Sequence, residues 1–296
     1  MKIMITGSNG QVGSELNVRA RTMGFDVIAV DCDQLDITQR DAVNDFISRY
    51  SPDLVINAAA YTAVDKAEEE VAIAFAVNRD GPLYLANACA ERDIPLFHIS
   101  TDYVFDGEKE APYTESDQPN PQGVYGQSKL EGELAVASAL VQQITLRVAW
   151  VFGATGANFV RTMLRLGGER AELGVVADQY GGPTYAGDIA ETLLMLAEKI
   201  DRGDALQWGL YHYIGSPATS WHGFAEEIFK QAVSHGMLEK SPNVNRITTE
   251  EYPTPATRPK NSVLDSQRIN EIFGVEQPDW RQGLDRVLRA QVSGFK

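Results

Sequence analysis

Residues 2–13 of the 296-residue chain read KIMITGSNGQVG. A short apolar run, residues 2–5, is followed by three glycines at every third position: Gly7, Gly10 and Gly13. Residues 11–23 then carry apolar side chains at helical spacing, and Gly24 is placed to end that helix. In this order, a strand, a glycine turn and a helix let backbone N–H groups approach a pyrophosphate at the positive end of the helix. The stretch therefore predicts a dinucleotide-binding unit.

The next apolar strand, residues 27–30, leads into Asp31. A carboxylate at that point can accept hydrogen bonds from the adenosine ribose, and it would repel a 2′-phosphate. Ser8 and Asn9 in the turn supply no basic side chain to offset this repulsion, so charge alone favours NADH. The residues that we expect to bind the cofactor are Gly7, Asn9, Gly10, Gln11, Val12, Gly13, Asp31, Asp36, Ile37, Ala58, Ala59 and Ala60, together with Tyr125 and Lys129.

Strand and helix patterns alternate along the first half of the chain, which indicates a parallel sheet with crossover helices. Further strands are predicted at 53–57, 95–100 and 143–150, and helices at 38–50 and at 64–92, the latter interrupted by Gly81-Pro82. The fold class is α/β, a Rossmann-like doubly wound parallel sheet with a smaller C-terminal α/β lobe that binds substrate. We expect residues 1–150, completed by parts of 174–200, to form the NAD(P)-binding domain and 151–296 to form mainly the loop-rich lobe.

Tyr125 and Lys129 lie four residues apart in a predicted helix, so their side chains share one face. A free phenol titrates near pH ~10, and an ammonium group at ~4 Å would lower its pKa by up to ~3 units at an effective dielectric constant of ~20. The pairing predicts a phenol that acts as an acid near neutral pH.

Thr101 follows an apolar strand, so it should lie at the same sheet edge as the glycine turn. The alanines at 58–60 would let a nucleotide lie against the backbone, although close packing explains them equally well.

The composition agrees with an enzyme of this kind. A hydrophobic content of 44% supports a large core, and a net charge of −15 argues against nucleic acid as a partner. Cys32 and Cys89 form no C-x-x-C pair and fit reduced thiols. The chain has no apolar run of about 18 residues and no apolar leader before its first strand, so we expect no membrane span and a cytoplasmic location.

Five stretches carry a family resemblance. They read NAAAYTAVDKAE at 57–68, STDYVFDG at 100–107, VYGQSK at 124–129, DQYGGPT at 178–184 and YPTPATRP at 252–259. With them the chain resembles the extended short-chain dehydrogenases/reductases and, more narrowly, the dTDP-4-dehydrorhamnose reductases. These stretches are spread over nearly the whole length of the chain.

The resemblance implies that NADPH or NADH reduces dTDP-4-dehydro-6-deoxy-L-mannose to dTDP-L-rhamnose, the last step of dTDP-L-rhamnose synthesis. Tyr125 would protonate the carbonyl oxygen, Thr101 would hydrogen-bond it, and Lys129 would hold the nicotinamide ribose. The implied substrate contacts are Thr101, Asp102, Tyr125, Trp150, Asn158 and Arg258, for the last three of which structural roles are the alternative. Both cofactors are accepted within this family, so we expect dual use.

Two departures from related enzymes are informative. Nucleotide-sugar 4,6-dehydratases carry a glutamate after the aspartate of this motif, whereas here Asp102 is followed by Tyr103, which disfavours dehydration. Some rhamnose-pathway reductases hold Mg²⁺ at a dimer interface through several glutamates. Glu15 could match one of them, but the region around Gly187-Asp188 lacks another, and a hard cation needs several oxygen ligands. We therefore argue against Mg²⁺ and expect a monomer or a homodimer.

Two alternatives stay open. One is another nucleotide-sugar reductase or an epimerase with the same Thr, Tyr and Lys. The other is a non-catalytic subunit, because the regulatory subunit of methionine adenosyltransferase resembles the same reductases. The presence of Thr101, Tyr125 and Lys129 favours catalysis.

Overall fold

The computed structural model describes residues 1–294 of the chain. Its strands are β1 (Lys2–Thr6), β2 (Asp26–Val30), β3 (Leu54–Asn57), β4 (Leu96–Thr101), β5 (Gln143–Val148), β6 (Val151–Phe152), β7 (Glu172–Val176), β8 (Tyr180–Gly181), β9 (Thr184–Tyr185), β10 (Gly209–His212), β11 (Thr219–Ser220), β12 (Asn243–Ile247) and β13 (Asn261–Ser262).

The helices alternate with the strands through most of the chain. They are α1 (Gln11–Thr22), α2 (Arg40–Tyr50), α3 (Val64–Ala67), α4 (Val71–Phe75), α5 (Gly81–Ala90), α6 (Val124–Ala139), α7 (Phe159–Glu169), α8 (Ala186–Asp201), α9 (Trp221–Ser234), α10 (Gln267–Phe273) and α11 (Trp280–Gly294). A π-helical turn spans Ala76–Asp80, and a 3₁₀ turn spans Asp102–Val104.

The central sheet has six parallel strands in the order β10-β5-β4-β3-β1-β2. The chain moves outward from β1 to β2 and then returns to place β3 on the other side of β1. This reversal is the switch point at which open α/β sheets bind their ligands, beyond the carboxyl ends of the strands. The predicted doubly wound parallel sheet is confirmed.

Alternate residues of β1 face opposite sides of the sheet, so the core has two layers. Ile3 and Ile5 pack with residues of α1 and α8, whereas Met4 packs with residues of α2 and α5. All three side chains are fully buried. Helices therefore cover both faces, as the continuous apolar strands of a parallel sheet require.

The structure corrects two details of the predicted elements. The helical region at 64–92 is not interrupted at Gly81-Pro82, because Pro82 lies in the first turn of α5, where its missing N–H costs no hydrogen bond. The helix is instead broken between α3 and α4 and widened by the π-helical turn. The sixth strand of the sheet, β10, comes from a stretch that carried no strand prediction.

The C-terminal half contains long helices as well as loops. Short strand pairs and the helices α7, α9 and α11 surround an aromatic-rich core that includes Phe152, Phe224, Phe229 and Trp280. Helix α8 belongs to the other part, since it packs on α1 against the central sheet. The expectation of a mainly loop-rich lobe therefore underestimated its helices, and the domain boundaries stay a prediction.

Candidate active site

The glycine turn after β1 is held by close backbone contacts. Gly7 has a φ of 65°, and a Cβ on it would lie 2.6 Å from Ala59 Cα. A Cβ on Gly13 would lie 2.1 Å from the carbonyl oxygen of Gly7. Only glycine fits at both positions, because the turn, helix α1 and the segment after β3 approach one another so closely.

Asp31 lies beside this turn at the end of β2. Its Oδ2 accepts a hydrogen bond from the Asn9 backbone N–H at 2.9 Å, and its Oδ1 accepts one from the Cys32 N–H at 2.8 Å. Partial burial acts to raise the pKa of Asp31, but these backbone donors outweigh it and the pKa is lowered. An ionised carboxylate is therefore fixed next to the turn, where the sequence predicts the adenosine ribose.

Two further predicted cofactor residues, Asp36 and Ile37, have partners within the protein. Asp36 accepts hydrogen bonds from the backbone N–H and the hydroxyl of Thr38, at 2.9 and 2.7 Å. The Ile37 side chain is buried against Gly81 of α5. Neither residue lines the cleft described next.

A cleft of about 530 Å³ opens at the carboxyl ends of β1, β3, β4 and β5. The predicted site residues that line it are Gly10, Gln11, Val12, Ala58, Ala60, Thr101, Asp102, Tyr125, Lys129 and Trp150. The cleft is also lined by Gly156 and Ala157, and by residues that were not predicted as site residues: Thr62, Val64, Ile99, Ser100, Tyr103, Val148 and Val151. The first turn of α1, the small alanines and the Tyr/Lys pair thus share one elongated cleft, a shape and donor set that fit a dinucleotide.

Tyr125 and Thr101 both line this cleft. Burial raises the pKa of the Tyr125 phenol to about 12; the Thr101 hydroxyl offsets only part of this rise, and the nearby Asp102 charge adds to it. Lys129 donates from Nζ to the carbonyl oxygen of Ile99 at 2.7 Å. Burial lowers the pKa of this amine to about 8, and Glu133 opposes that shift.

The prediction that Lys129 lowers the pKa of Tyr125 is therefore wrong. The Lys129 amine hydrogen-bonds the β4 backbone instead, and desolvation dominates at the phenol. Tyr125 also meets the ring of Tyr103 edge-on, with ring centroids 5.4 Å apart. Burial raises the pKa of Tyr103 above its ordinary value, so both phenols hold their protons at neutral pH.

Asp102 is a buried carboxyl group directly behind Thr101. Its Oδ1 accepts from the Thr101 hydroxyl at 3.0 Å, while Oδ2 is buried without a hydrogen-bond partner. Burial raises the pKa of Asp102 to about 6, and the hydrogen bond from Thr101 limits the rise. Asp102 Oδ2 is therefore a hydrogen-bond acceptor without a partner, buried in the wall of the cleft.

Helix α6, which carries Tyr125 and Lys129, is held at its N-terminus by residues of two earlier helical segments. Glu68 Oε1 accepts from the Val124 N–H at 2.9 Å and so caps the helix. Asn78 in the π-helical turn donates to Ser128 Oγ at 3.0 Å and also binds both backbone groups of Tyr61. These contacts hold the helix in place beside β4.

A second cavity of about 430 Å³ lies next to the cleft, between α7, β7 and the 252–258 segment. Arg258 lines it and donates to Asp65 Oδ2 at 2.7 Å. The Trp221 ring also lines it and stacks on Trp150 of the first cleft, with centroids 3.5 Å apart and planes 8° apart. The stacked pair forms the wall that the two cavities share. Trp221 carried no sequence signal, since it lies on α9, far from the motifs.

Trp150 is held in an unusual backbone conformation, with a φ of 48°. Large side chains rarely adopt this left-handed region, and such residues are concentrated at functional sites. A Cβ on Gly181 would lie 2.4 Å from Trp150 Cε2, so the glycine makes room for the indole. Stacking on Trp221 and this close contact hold the ring at the cleft.

Asn158 is engaged in structural contacts. Its Nδ2 donates to Gln11 Oε1 at 3.0 Å and to the Gly153 carbonyl at 2.9 Å, and its Oδ1 caps α7 through the Arg161 N–H at 3.1 Å. Asn158 does not line the cleft, although its neighbours Gly156 and Ala157 do. Its predicted contact with the substrate stays a prediction, and the contact with Gln11 ties the lobe to helix α1.

Glu15, the residue considered for Mg²⁺, binds Arg19 at 3.0 Å and the Tyr185 hydroxyl at 2.9 Å. Asp188 pairs with Arg286 at 3.1 Å. Within residues 1–294, no group of three or more His, Cys, Asp or Glu side chains is arranged to hold a metal ion. In the same part of the chain, no helix is long and apolar enough to cross a membrane.

Comparison with known proteins gives matches along the whole chain. Residues 1–293 match the family described as the RmlD substrate binding domain. The dTDP-4-dehydrorhamnose reductase of Aggregatibacter actinomycetemcomitans is 48% identical over 287 residues, which are 97% of this chain and 98% of that protein.

Two solved structures are also similar. A dTDP-4-dehydrorhamnose reductase from Clostridium acetobutylicum superposes with a TM-score of 0.91 at 41% identity, covering 99% of this chain and 100% of that one. The Bacillus anthracis dTDP-4-dehydrorhamnose reductase in complex with NADP has a TM-score of 0.89 at 36% identity, covering 98% and 99% of the two chains. The chain therefore belongs to the RmlD substrate binding domain family.

Proposed function

We propose that the chain reduces the 4-keto carbon of dTDP-4-dehydro-6-deoxy-L-mannose with NADPH or NADH, which yields dTDP-L-rhamnose. One observation carries the proposal: Thr101, Tyr125 and Lys129 line the same cleft as the first turn of α1. The reductases that match the chain over nearly their whole lengths support it. This would be the last step of dTDP-L-rhamnose synthesis.

The cofactor would lie along the cleft from Asp31 to Lys129. Its pyrophosphate would meet the N-terminus of α1 at Gly10 and Gln11, and its adenosine ribose would donate to Asp31. A bound reduced nicotinamide would supply the hydride. The Asp31 charge favours NADH, whereas the Bacillus anthracis relative was solved with NADP, and we propose that both cofactors are used.

Tyr125 would donate its proton to the carbonyl oxygen of the sugar as that oxygen becomes an alkoxide. An alkoxide is a stronger base than a phenolate, so the transfer is favourable even from a phenol whose pKa is about 12. Thr101 would donate a hydrogen bond to the same oxygen and stabilise its developing charge. Lys129 would bind the nicotinamide ribose and stabilise the Tyr125 phenolate after the transfer.

The substrate would extend from Tyr125 past the Trp150 and Trp221 rings into the second cavity. Arg258 stands in that cavity, and its planar guanidinium suits two hydrogen bonds to a diphosphate. The nucleoside would then occupy the pocket between α7 and β7. Asp102 lines the cleft beside Thr101 and is the remaining substrate contact that the resemblance implies.

A dehydratase needs a carboxylic acid or carboxylate at the position of Tyr103 to eliminate water. The Tyr103 pKa is raised by burial, so this phenol neither gains nor loses a proton near neutral pH. An epimerase returns its hydride to the sugar and consumes no cofactor, and a regulatory subunit performs no turnover. Net consumption of NADPH thus separates a reductase from an epimerase and from a regulatory subunit, and the identity of the sugar product separates this reductase from another nucleotide-sugar reductase.

The test is to mix the protein with NADPH or NADH and dTDP-4-dehydro-6-deoxy-L-mannose, to follow nicotinamide absorbance, and to identify the sugar product by mass spectrometry. We expect one reduced cofactor consumed for each dTDP-L-rhamnose formed. In a second reaction with dTDP-glucose and NAD⁺ we expect no 4-keto-6-deoxy sugar. Constant absorbance with authentic substrate, or dehydration of dTDP-glucose above background, would overturn the proposal.

Several expectations about the protein stay predictions. They are that the protein is a monomer or a homodimer, that it is located in the cytoplasm, that its domains divide at residue 150, and that the reaction does not need Mg²⁺.

A further inference from the structure

Helix α6 carries a second buried charge, which the reaction proposed above does not use. Glu133 lies one turn after Lys129 and is 6% exposed, and Arg147 on β5 is 2% exposed. Arg147 Nε donates to Glu133 Oε1 at 2.9 Å, and Arg147 Nη2 donates to Oε2 at 2.6 Å. The two side chains therefore form a buried ion pair with two parallel hydrogen bonds.

His212 on β10 extends this pair on the far side of Arg147. Its Nδ1 lies 3.1 Å from the Tyr113 carbonyl oxygen, and its Nε2 lies 3.4 Å from Arg147 Nη1. A carbonyl only accepts, so Nδ1 carries the proton and Nε2 accepts from Arg147. Burial and the Arg147 charge lower the pKa of His212 to about 3, so it stays neutral at working pH.

A buried ion pair is a costly way to attach a helix to a sheet, because desolvating two charges offsets most of their attraction. Apolar residues serve the same purpose further along this helix, where Val136 and Leu140 are buried against the core. The pair lies specifically at the turn that follows Lys129. Its position points to a role for the charge of Glu133 and not only for its packing.

We propose that Glu133 and Arg147 are positioning residues of the reaction: the pair fixes α6 over the sheet and holds the Glu133 carboxylate one helical turn from Lys129. This rests on the proposed reductase function. Lys129 binds the backbone of β4 at Ile99, and Glu133 binds the neighbouring strand β5. Two adjacent strands therefore define where Tyr125 and Lys129 stand relative to the cleft.

The other charged or ionisable groups around α6 do not provide this carboxylate. His98 on β4 is fully buried, and its pKa is well below 6.5 because of burial and the Lys129 charge, so it is neutral. Asp102 lies on the Tyr125 side, where it binds Thr101. The remaining groups are paired elsewhere: Glu68 with the Val124 N–H, and Glu131 and Asp80 with Arg79. Glu133 is the carboxylate whose charge raises the pKa of the Lys129 amine and so opposes the lowering by burial.

The test is Glu133→Gln, which keeps the shape of the side chain and removes its charge. NADPH affinity, read by quenching of tryptophan fluorescence, and kcat/KM are measured between about pH 6 and pH 10. We expect the pH above which both decline to move down by roughly 1–2 units, because Lys129 would lose its proton earlier. Glu131→Gln, two residues away on the same helix and paired with Arg79, is the control and should leave this pH unchanged.

A double variant, Glu133→Leu with Arg147→Met, removes both charges without leaving one buried alone. If the pair only packs the helix, this variant should fold and show the wild-type pH dependence. If the proposal holds, NADPH affinity and kcat/KM of the double variant decline at the same lowered pH as those of Glu133→Gln. An unchanged pH dependence in either folded variant would overturn it. NADPH binding needs no sugar substrate, so a failure of the proposed reductase reaction would leave this test intact.

Discussion

Tyr125 is the residue on which the proposed chemistry depends most directly. Tyr125→Phe removes the proton donor and keeps the ring that packs edge-on against Tyr103. We expect kcat to fall by roughly 10²–10⁴, with NADPH affinity nearly unchanged. Steady-state kinetics and fluorescence titration measure the two quantities. A variant that stays within about threefold of wild-type kcat would remove Tyr125 from the mechanism.

Lys129 gives a prediction about stability, because its amine is buried and charged. Burial lowers its pKa from 10.5 to about 8, so between these values the unfolded chain binds a proton that the folded chain does not. Raising the pH through this window therefore stabilises the folded wild type. The penalty for burying the charge is fully present below pH 8.

Lys129→Met lacks this penalty at every pH. We expect the free energy of unfolding of the variant, relative to wild type, to be lower near pH 10 than near pH 7 by about 2 kcal/mol. Urea unfolding at the two pH values measures it, and Lys2→Met, at an exposed amine, is the control. A difference that stays constant with pH would mean that Lys129 has an ordinary pKa.

For single residues, the sequence predicted which side chains lie together better than it predicted their burial and their pKa values. Thr101, Tyr125 and Lys129 could be predicted to meet, because each lies at a strand end or on one helix face. The raised pKa of Tyr125 could not, since it depends on burial by residues from distant segments. Asp36 and Ile37 stay predicted cofactor residues, and local hydrogen bonds and packing determine where they lie.

Among the elements, α6 shows how a glycine can determine the position of a helix. Gly132 faces the π-helical turn, and a Cβ on it would lie 2.0 Å from the Asn78 carbonyl oxygen. That atom belongs to the backbone, so the turn would have to move. Since Asn78 also binds Ser128 between Tyr125 and Lys129, the movement would reach the active site.

We therefore expect Gly132→Ala to destabilise the protein by about 2–4 kcal/mol and to lower kcat. Gly168→Ala in α7 is the matched control, because its Cβ would meet its nearest neighbour at an ordinary 3.9 Å. That substitution should be neutral or stabilising by up to about 1 kcal/mol. Thermal unfolding compares the two variants, and equal effects would contradict the close contact at Gly132.

The elements of the first half were predictable because each strand is a continuous apolar run bounded by turn residues. The second half was not, because its short strands and helices are specified by packing between segments far apart in sequence. Strand β10 is an example: Gly209 and His212 give it little apolar character, and it is recruited by pairing with β5. In the 64–92 helical region, Glu68 lies at the break and Asn78 in the π-helical turn, and both residues bind segments far from them in sequence.

On the scale of the whole molecule, the two parts of the chain each contribute one cavity. The cleft that contains Tyr125 and Lys129 lies on the central sheet, and the second cavity lies in the lobe with the aromatic core. Arg258 connects them, since it lines the second cavity and pairs with Asp65 at the start of α3. A substrate that spans both cavities would pass this side chain, and its diphosphate would replace the Asp65 carboxylate as a partner.

The last prediction tests this path for the substrate. Arg258→Lys keeps the charge but loses the planar fork, so we expect KM for the nucleotide sugar to rise by roughly tenfold, with NADPH affinity unchanged. Asp65→Asn leaves Arg258 in place and weakens its competing partner, so KM should stay the same or fall. Both variants weaken the Arg258–Asp65 pair, but only Arg258→Lys changes the group that would bind the diphosphate. A higher KM in Arg258→Lys alone therefore indicates a phosphate contact and not a structural link between the two parts of the chain. Equal increases of KM in the two variants would show that the pair acts only as a structural link.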